Sequence, residues 1–125
     1  MNVKIDTKER FTVITPQESR LPVNMTEELR NLLLPYLQKD IPHIILNMSN
    51  VTAVDELMGE ELSLIHEQFY EKNCSFVICS LHPDVIDVLN KKELLDILNV
   101  TPSESEAWDI VQMEEIEREL LDGDD

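Results

Sequence analysis

Three kinds of side chain in this sequence could in principle do chemistry: three histidines, two cysteines, and a run of carboxylates that starts at Asp55. His66-Glu67 opens the pattern of a zinc protease, in which a second histidine one helical turn on completes the metal pair. Tyr70 stands at that position, so the site cannot form. His43 and His82 keep no ligand spacing with His66, and His43 reads as a packing residue at a strand end. Asp55, Glu56, Glu60 and Glu61 could recruit a hard cation through their oxygens. Glutamates so placed at a helix start read instead as a solvated face. Ser49, Ser63, Ser75 and Ser80 lack the flanking glycines of a nucleophile elbow. With only 2 glycines in the chain, a phosphate-cradling loop is not expected either. The sequence therefore predicts no enzyme, no metal and no cofactor.

Cys74 and Cys79 bracket one predicted strand. Five residues of strand separate them by roughly 16 Å, far beyond disulfide reach. They read as reduced, structural thiols. The opening MNVKIDTKER holds no apolar core of a signal peptide, and no apolar run reaches membrane-spanning length. A cytoplasmic protein without direct membrane insertion is expected. The net charge of -16 makes nucleic acid and anionic lipid poor partners and a basic protein surface a good one. Hydrophobic content of 42% within 125 residues is enough for one real core, so a single folded domain is expected rather than a disordered chain.

The elements follow from periodicity. Val3 to Ile5 and Phe11 to Ile14 are short β-rich runs around a polar stretch, which predicts an antiparallel hairpin ended by Pro16. Gln17 to Val23 reads as a loop without periodicity. Asn24-Met25-Thr26-Glu27 has the form of a capping box. The helix it would open buries Met25, Leu29, Leu32, Leu33 and Tyr36, and Pro35 should shorten its last turn. His43 to Met48 is an apolar strand. Met58, Leu62, Ile65 and Phe69 then mark one face of a second helix, stopping near Lys72-Asn73. Asp55 and Glu56 place negative charge at its start, where the helix dipole favours it. Ser75 to Cys79 is an interior strand, apolar on both faces.

Pro83 opens a short helix with Val85, Ile86, Val88 and Leu89 on its buried side. Ile97 to Val100 is read as the last strand. Ser103-Glu104-Ser105-Glu106 is a second capping box, and Ala107, Trp108, Ile110 and Val111 anchor the final helix. Met113, Ile116 and Leu120 continue a narrow stripe among glutamates, expected to pack back on the domain or on a basic partner. The ending from Asp122 is expected to fray. Residues 1–112 would form the domain and 113–125 an acidic helical extension and tail, so truncation after Gln112 should leave a folded protein. Alternating strands and helices predict a small α/β domain, a mixed sheet with right-handed strand-helix crossovers behind the N-terminal hairpin.

Several residues in this order resemble the STAS family, the domain of bacterial anti-sigma factor antagonists. They are the strand HIILNMSNV, the Asp55 that follows it, the amphipathic helix, the strand SFVICSL, the Pro83-Asp84-Val85 helix start, the LLDIL run, and the Ser103/Glu106/Ala107 opening of the last helix. The resemblance covers roughly Phe11 to Val111 and implies a small mixed sheet. It also implies a regulatory motif, Asp-Ser-Ser/Thr-Gly, whose third residue an anti-sigma kinase phosphorylates to block binding. Here Asp55 is followed by Glu56, Leu57 and Met58. Leu57 holds the phosphorylated position and has no hydroxyl, so no phosphorylation is expected there. Glu56 is a poor mimic of a phosphate carrying nearly two charges.

In open α/β sheets the loops leaving the carboxyl ends of strands engage ligands and partners. The expected partner-binding residues are Val51, Thr52, Asp55, Glu56, Leu57, Met58, Glu60 and Glu61, an apolar spot in an acidic rim. They suit a protein partner with a basic, partly apolar face, such as an anti-sigma factor or kinase-like protein. The resemblance leaves open a STAS subunit of a larger signalling or lipid-transport complex. A small-molecule or nucleotide-binding STAS module is also open, though the loop has no basic residues nearby to favour it.

Overall fold

The structure is a computed structural model that describes residues 1–122. Five strands form the main sheet: β1 (Val3–Thr7), β2 (Thr12–Pro16), β4 (Ile44–Asn47), β6 (Phe76–Cys79) and β7 (Asn99–Thr101), side by side in that order. β1 and β2 are the expected antiparallel hairpin, with Ile5 opposite Ile14, and every other neighbour is parallel. A separate parallel pair, β3 (Arg20–Leu21) with β5 (Ala53–Val54), lies between the main-sheet strands in the chain. The stretch read as a plain loop thus contains a strand. Two residues are too few to show a period.

Strand alternation sends successive side chains to opposite faces and so creates two cores. Ile14, Ile44, Leu46, Phe76 and Ile78 face one side. There they meet α1 (Thr26–Leu33), α2 (Glu56–Glu71) and α3 (Pro83–Lys91). Phe11, Val13, Ile45, Val77 and Cys79 face the other side, closed by Ala107 and Val111 of α4 (Glu104–Asp122) with Trp108 and Ile110. Phe11 and Trp108 meet there in a tilted arrangement, ring centres 5.1 Å apart and planes at 59°.

Several expectations need correction at element ends. Asn24 caps nothing: Pro22 introduces a 3-10 turn over Val23–Met25, and Thr26 uses its hydroxyl to reach the Val23 carbonyl at 2.9 Å. Ile97 is exposed in a turn, and β7 begins two residues later. The Leu94 carbonyl accepts the amides of Ile97 and Leu98, which holds the segment helical in character. Ile86 is likewise exposed, while Val85 and Leu89 carry the buried side of α3. The second capping box forms in part. Ser103 Oγ accepts the Glu106 amide at 3.3 Å, and its hydroxyl donates to the Glu106 carboxylate.

Pro35 ends α1 at Leu33 as expected, and the chain continues as a 3-10 turn over Leu34–Gln38. Asn73, just past α2, adopts φ 58°, the left-handed conformation expected of it. The helix α4 continues through Asp122, and the rest of the ending expected to fray lies outside the described residues.

Candidate partner-binding site

The carboxyl edge of the parallel strands carries the start of α2. Asp55 is its N-cap, with extended backbone (φ -80°, ψ 155°). Its carboxylate does not cap its own helix. It accepts the Val23 amide at 2.8 Å, while the Asp55 amide donates to the Leu21 carbonyl at 3.3 Å. Thr52 gives both its amide and its hydroxyl to the Ser19 carbonyl, at 2.8 and 3.0 Å. Residues 19–23 are thus strapped to 52–55, and β3 pairing with β5 is the middle of that strap. The loop entering α2 is a braced shelf.

The expected site residues divide. Thr52, Asp55, Glu56 and Leu57 are exposed, Leu57 at 56%, and Glu60 is half-buried. Val51, Met58 and Glu61 are buried and cannot meet a partner as they stand. For Met58 the reason is the helix period, which turns it into the core with Leu62 and Ile65. For Val51 it is the loop after β4, where its amide bonds the Met48 carbonyl and its side chain joins the same core. For Glu61 it is a partner: Arg30 Nε on α1 donates to its carboxylate at 2.5 Å, joining α1 to α2. The apolar spot is therefore Leu57 alone.

The acidic rim is also less bare than its composition suggests. Lys92, at the end of α3, stands 3.5 Å from Glu56 and 3.6 Å from Glu60. The close approach of the two helices puts it there. A Cβ on Gly59 would come within 3.0 Å of Leu89 and 3.2 Å of Leu94, so only glycine lets α2 and α3 lie this near without displacement. With Asp55 on Val23, Glu61 on Arg30, and Glu56 and Glu60 beside Lys92, the four carboxylates do not converge on one point. No group of three His, Cys, Asp or Glu able to hold a metal is found among the described residues.

A second polar cluster lies at the opposite edge of the sheet, where α4 passes the amino ends of the strands. Glu114 Oε1 accepts the hydroxyls of Tyr70 at 2.7 Å and Ser75 at 2.6 Å. Asn99 Nδ2 donates to the Tyr70 oxygen at 2.5 Å, and Arg118 Nη2 to Ser75 Oγ at 3.0 Å. Burial, and then the bond to Glu114, push the Tyr70 hydroxyl well above its ordinary range, so it stays protonated and donates. His66 stacks on Tyr70 with ring centres 4.4 Å apart, and burial lowers its pKa. The tyrosine that fills the zinc-ligand position is thus part of a structural stack. Both thiols are free and buried, and burial raises Cys74 and pushes Cys79 up to about 11. Neither is set up as a nucleophile.

Arg30, Lys92 and Glu114 escape a reading of the sequence because each acts on residues 15 to 44 positions away, where no local spacing announces it.

The mixed sheet with helices on both faces and a braced α2 start is that of a known class. The STAS domain family model matches residues 2–107, and the chain belongs to that family. Among solved structures it is similar to an anti-sigma factor antagonist (tm1081) from Thermotoga maritima described as putative, at 19% identity over 88% of this chain and 94% of that one, with a TM-score of 0.78. It is also similar to the anti-sigma factor antagonist SpoIIAA in its unphosphorylated form, at 18% identity over 89% and 96%, with a TM-score of 0.71. Part of the murine anion transporter Slc26a9 matches too, at 20% identity over 83% of this chain and 18% of that one, with a TM-score of 0.70. At these identities the likeness is one of fold. No helix among the described residues is long and apolar enough to cross a membrane.

Proposed function

We propose that this chain is a non-enzymatic, cytoplasmic regulatory STAS domain that binds a protein partner at the exposed start of α2. It acts in the manner of an anti-sigma factor antagonist, without phosphorylation at the family position. The observation that carries this reading is Leu57. It stands exposed as the second residue of α2, where the family motif places a hydroxyl, with Asp55, Glu56 and Glu60 within three residues of it in the chain. An exposed apolar residue in an acidic stretch, at the head of a helix entered from a braced loop, suits a partner face that is basic around an apolar hollow. Thr52 completes the exposed edge.

A second reading, a STAS subunit of a larger assembly, draws on the same residue. A permanent contact needs no switch, and Leu57 offers none. The two readings separate by the identity of the partner. Full-length protein and its Leu57→Lys variant serve as baits in a lysate of the source organism, and proteins lost with the variant are identified by mass spectrometry. Recovery of an anti-sigma factor supports the first reading, and recovery of a stable multi-subunit complex the second. Identical protein lists from both baits contradict a partner site at Leu57.

A further inference from the structure

The last turns of α4 are inside out. Met113, Ile116, Leu120 and Leu121 face solvent at 56%, 56%, 66% and 72% exposure. Glu114, Glu115 and Arg118 turn inward, onto Tyr70, Ser75 and His43. A helix end that only closed the domain would turn its apolar stripe to the core. Here polar ties set the rotation and hold the stripe outward. Met113, Ile116 and Leu120 fall within an arc of about 60° on the helix. Glu117 borders that arc on one side and Glu119 on the other, both exposed. Of the two expected places for the stripe, its own domain or a basic partner, the first is thereby corrected.

We propose that this stripe docks one amphipathic helix of a partner protein, a helix whose apolar seam is flanked by Lys or Arg. Charge selects this occupant. The α4 segment ESEAWDIVQMEEIERELLD holds eight carboxylates and a single basic residue, Arg118, which is already engaged with Ser75 and Glu115. A second copy of the chain would bring Glu117 and Glu119 against the same acidic face, in a protein of net charge -16. Anionic lipid headgroups would be repelled for the same reason. Beside the stripe runs a groove of about 340 Å³ lined by Arg10, Val111, Gln112, Glu115, Ile116 and Glu119, room for an apolar side chain of the incoming helix, with two carboxylates against one cation on its walls. This surface lies at the sheet edge opposite Leu57, so it stands or falls independently of the partner site proposed there.

The test uses the full chain and a synthetic labelled peptide of about 20 residues, long enough to form a helix. The peptide carries Leu at helical seam spacing, Lys and Arg on both flanks, and Ala elsewhere. Fluorescence anisotropy should show saturable one-to-one binding in the micromolar range that weakens with added salt. The Met113→Ser/Ile116→Ser/Leu120→Ser variant should bind at least tenfold more weakly, and Leu57→Lys as well as wild type. Ile116→Ser alone should weaken binding severalfold, which keeps the test open if the triple variant unfolds. The proposal is overturned by absence of saturable binding, by binding that survives the serine substitutions, or by equal binding of a peptide with Glu in place of Lys and Arg. It is also overturned if sedimentation shows a dimer that the serine substitutions dissolve, or if anionic vesicles bind through the stripe.

Discussion

His43 and Glu115 meet at 2.5 Å, imidazole Nε2 to carboxylate Oε1, while His43 Nδ1 accepts the Ser75 amide at 3.0 Å. One neutral tautomer satisfies both contacts, because Nδ1 must be bare to accept and Nε2 then carries the proton that Glu115 receives. A second proton would have to sit on Nδ1, facing the Ser75 N–H. Burial lowers the His43 pKa, and the Glu115 carboxylate only partly opposes it, with Arg118 pushing further down and Glu114 up. His66 is lowered as well, again by burial first.

Acid sensitivity follows from the sign of those shifts. Between the lowered folded-state values and the unfolded histidine value of about 6.5, the unfolded chain binds more protons than the folded one. The histidines' contribution is therefore complete above about pH 6.5 and falls away as the pH drops below it. Denaturation midpoints in urea measured from pH 8 to 5 should show this decline. His43→Asn keeps an acceptor for Ser75 without a titrating ring and should flatten part of the slope. A wild-type midpoint that is level or rises toward pH 5 would contradict the assignment.

The inward face of α4 should matter more to stability than its outward stripe. Glu114→Ala leaves the hydroxyls of Tyr70 and Ser75 without their acceptor and should cost about 1–3 kcal/mol. Met113→Ser or Ile116→Ser should stay within about 0.5 kcal/mol. Truncation after Gln112 removes all the ties of Glu114, Glu115 and Arg118 at once. We expect a domain that still folds, with its melting temperature lowered by about 5–10 °C. Equal costs for Glu114 and the stripe residues, in calorimetric melts, would refute the inside-out arrangement.

Adjacent residues at the start of α2 should behave as opposites. Met58→Ala empties a fully buried site and should destabilise by about 2–5 kcal/mol, whereas Leu57→Ala on the exposed side should change stability by less than about 0.5 kcal/mol. Urea titrations of the two variants check this directly, and similar losses would place both side chains in the core.

Incubation with a cognate anti-sigma kinase and ATP should leave the loop unmodified, because Leu57 offers no acceptor oxygen. The nearest hydroxyls are engaged, Thr52 with the Ser19 carbonyl and Ser63 with the Glu60 carbonyl at 2.8 Å. Phosphopeptide mapping that finds stoichiometric phosphate on Thr52 or Ser63 would show that the switch has moved.

Much of this architecture can be read from hydrophobic period. Ile44 to Leu46 and Phe76 to Cys79 announce buried strands, and Met58, Leu62, Ile65 and Phe69 announce the buried face of α2. What escapes is whatever depends on a distant partner. Glu61 looks solvated until Arg30 is beside it. Asp55 looks like a dipole charge until its carboxylate is found on the Val23 amide. Glu114 and Glu115 look like repelling surface charge, yet they hold α4 to the sheet. The β3–β5 pair is too short to carry any pattern, and its register depends on a strap 33 residues apart between Thr52 and Ser19.

Leu57 is the centre of the proposed partner surface, and one measurement tests that directly. The partner recovered with the wild-type bait is titrated calorimetrically into wild-type protein and into Leu57→Lys, after circular dichroism has established that the variant is folded. We predict that the variant binds more weakly by more than about 1 kcal/mol, roughly fivefold or more. Unchanged affinity in a folded Leu57→Lys protein would contradict the account and move the interface elsewhere on the domain.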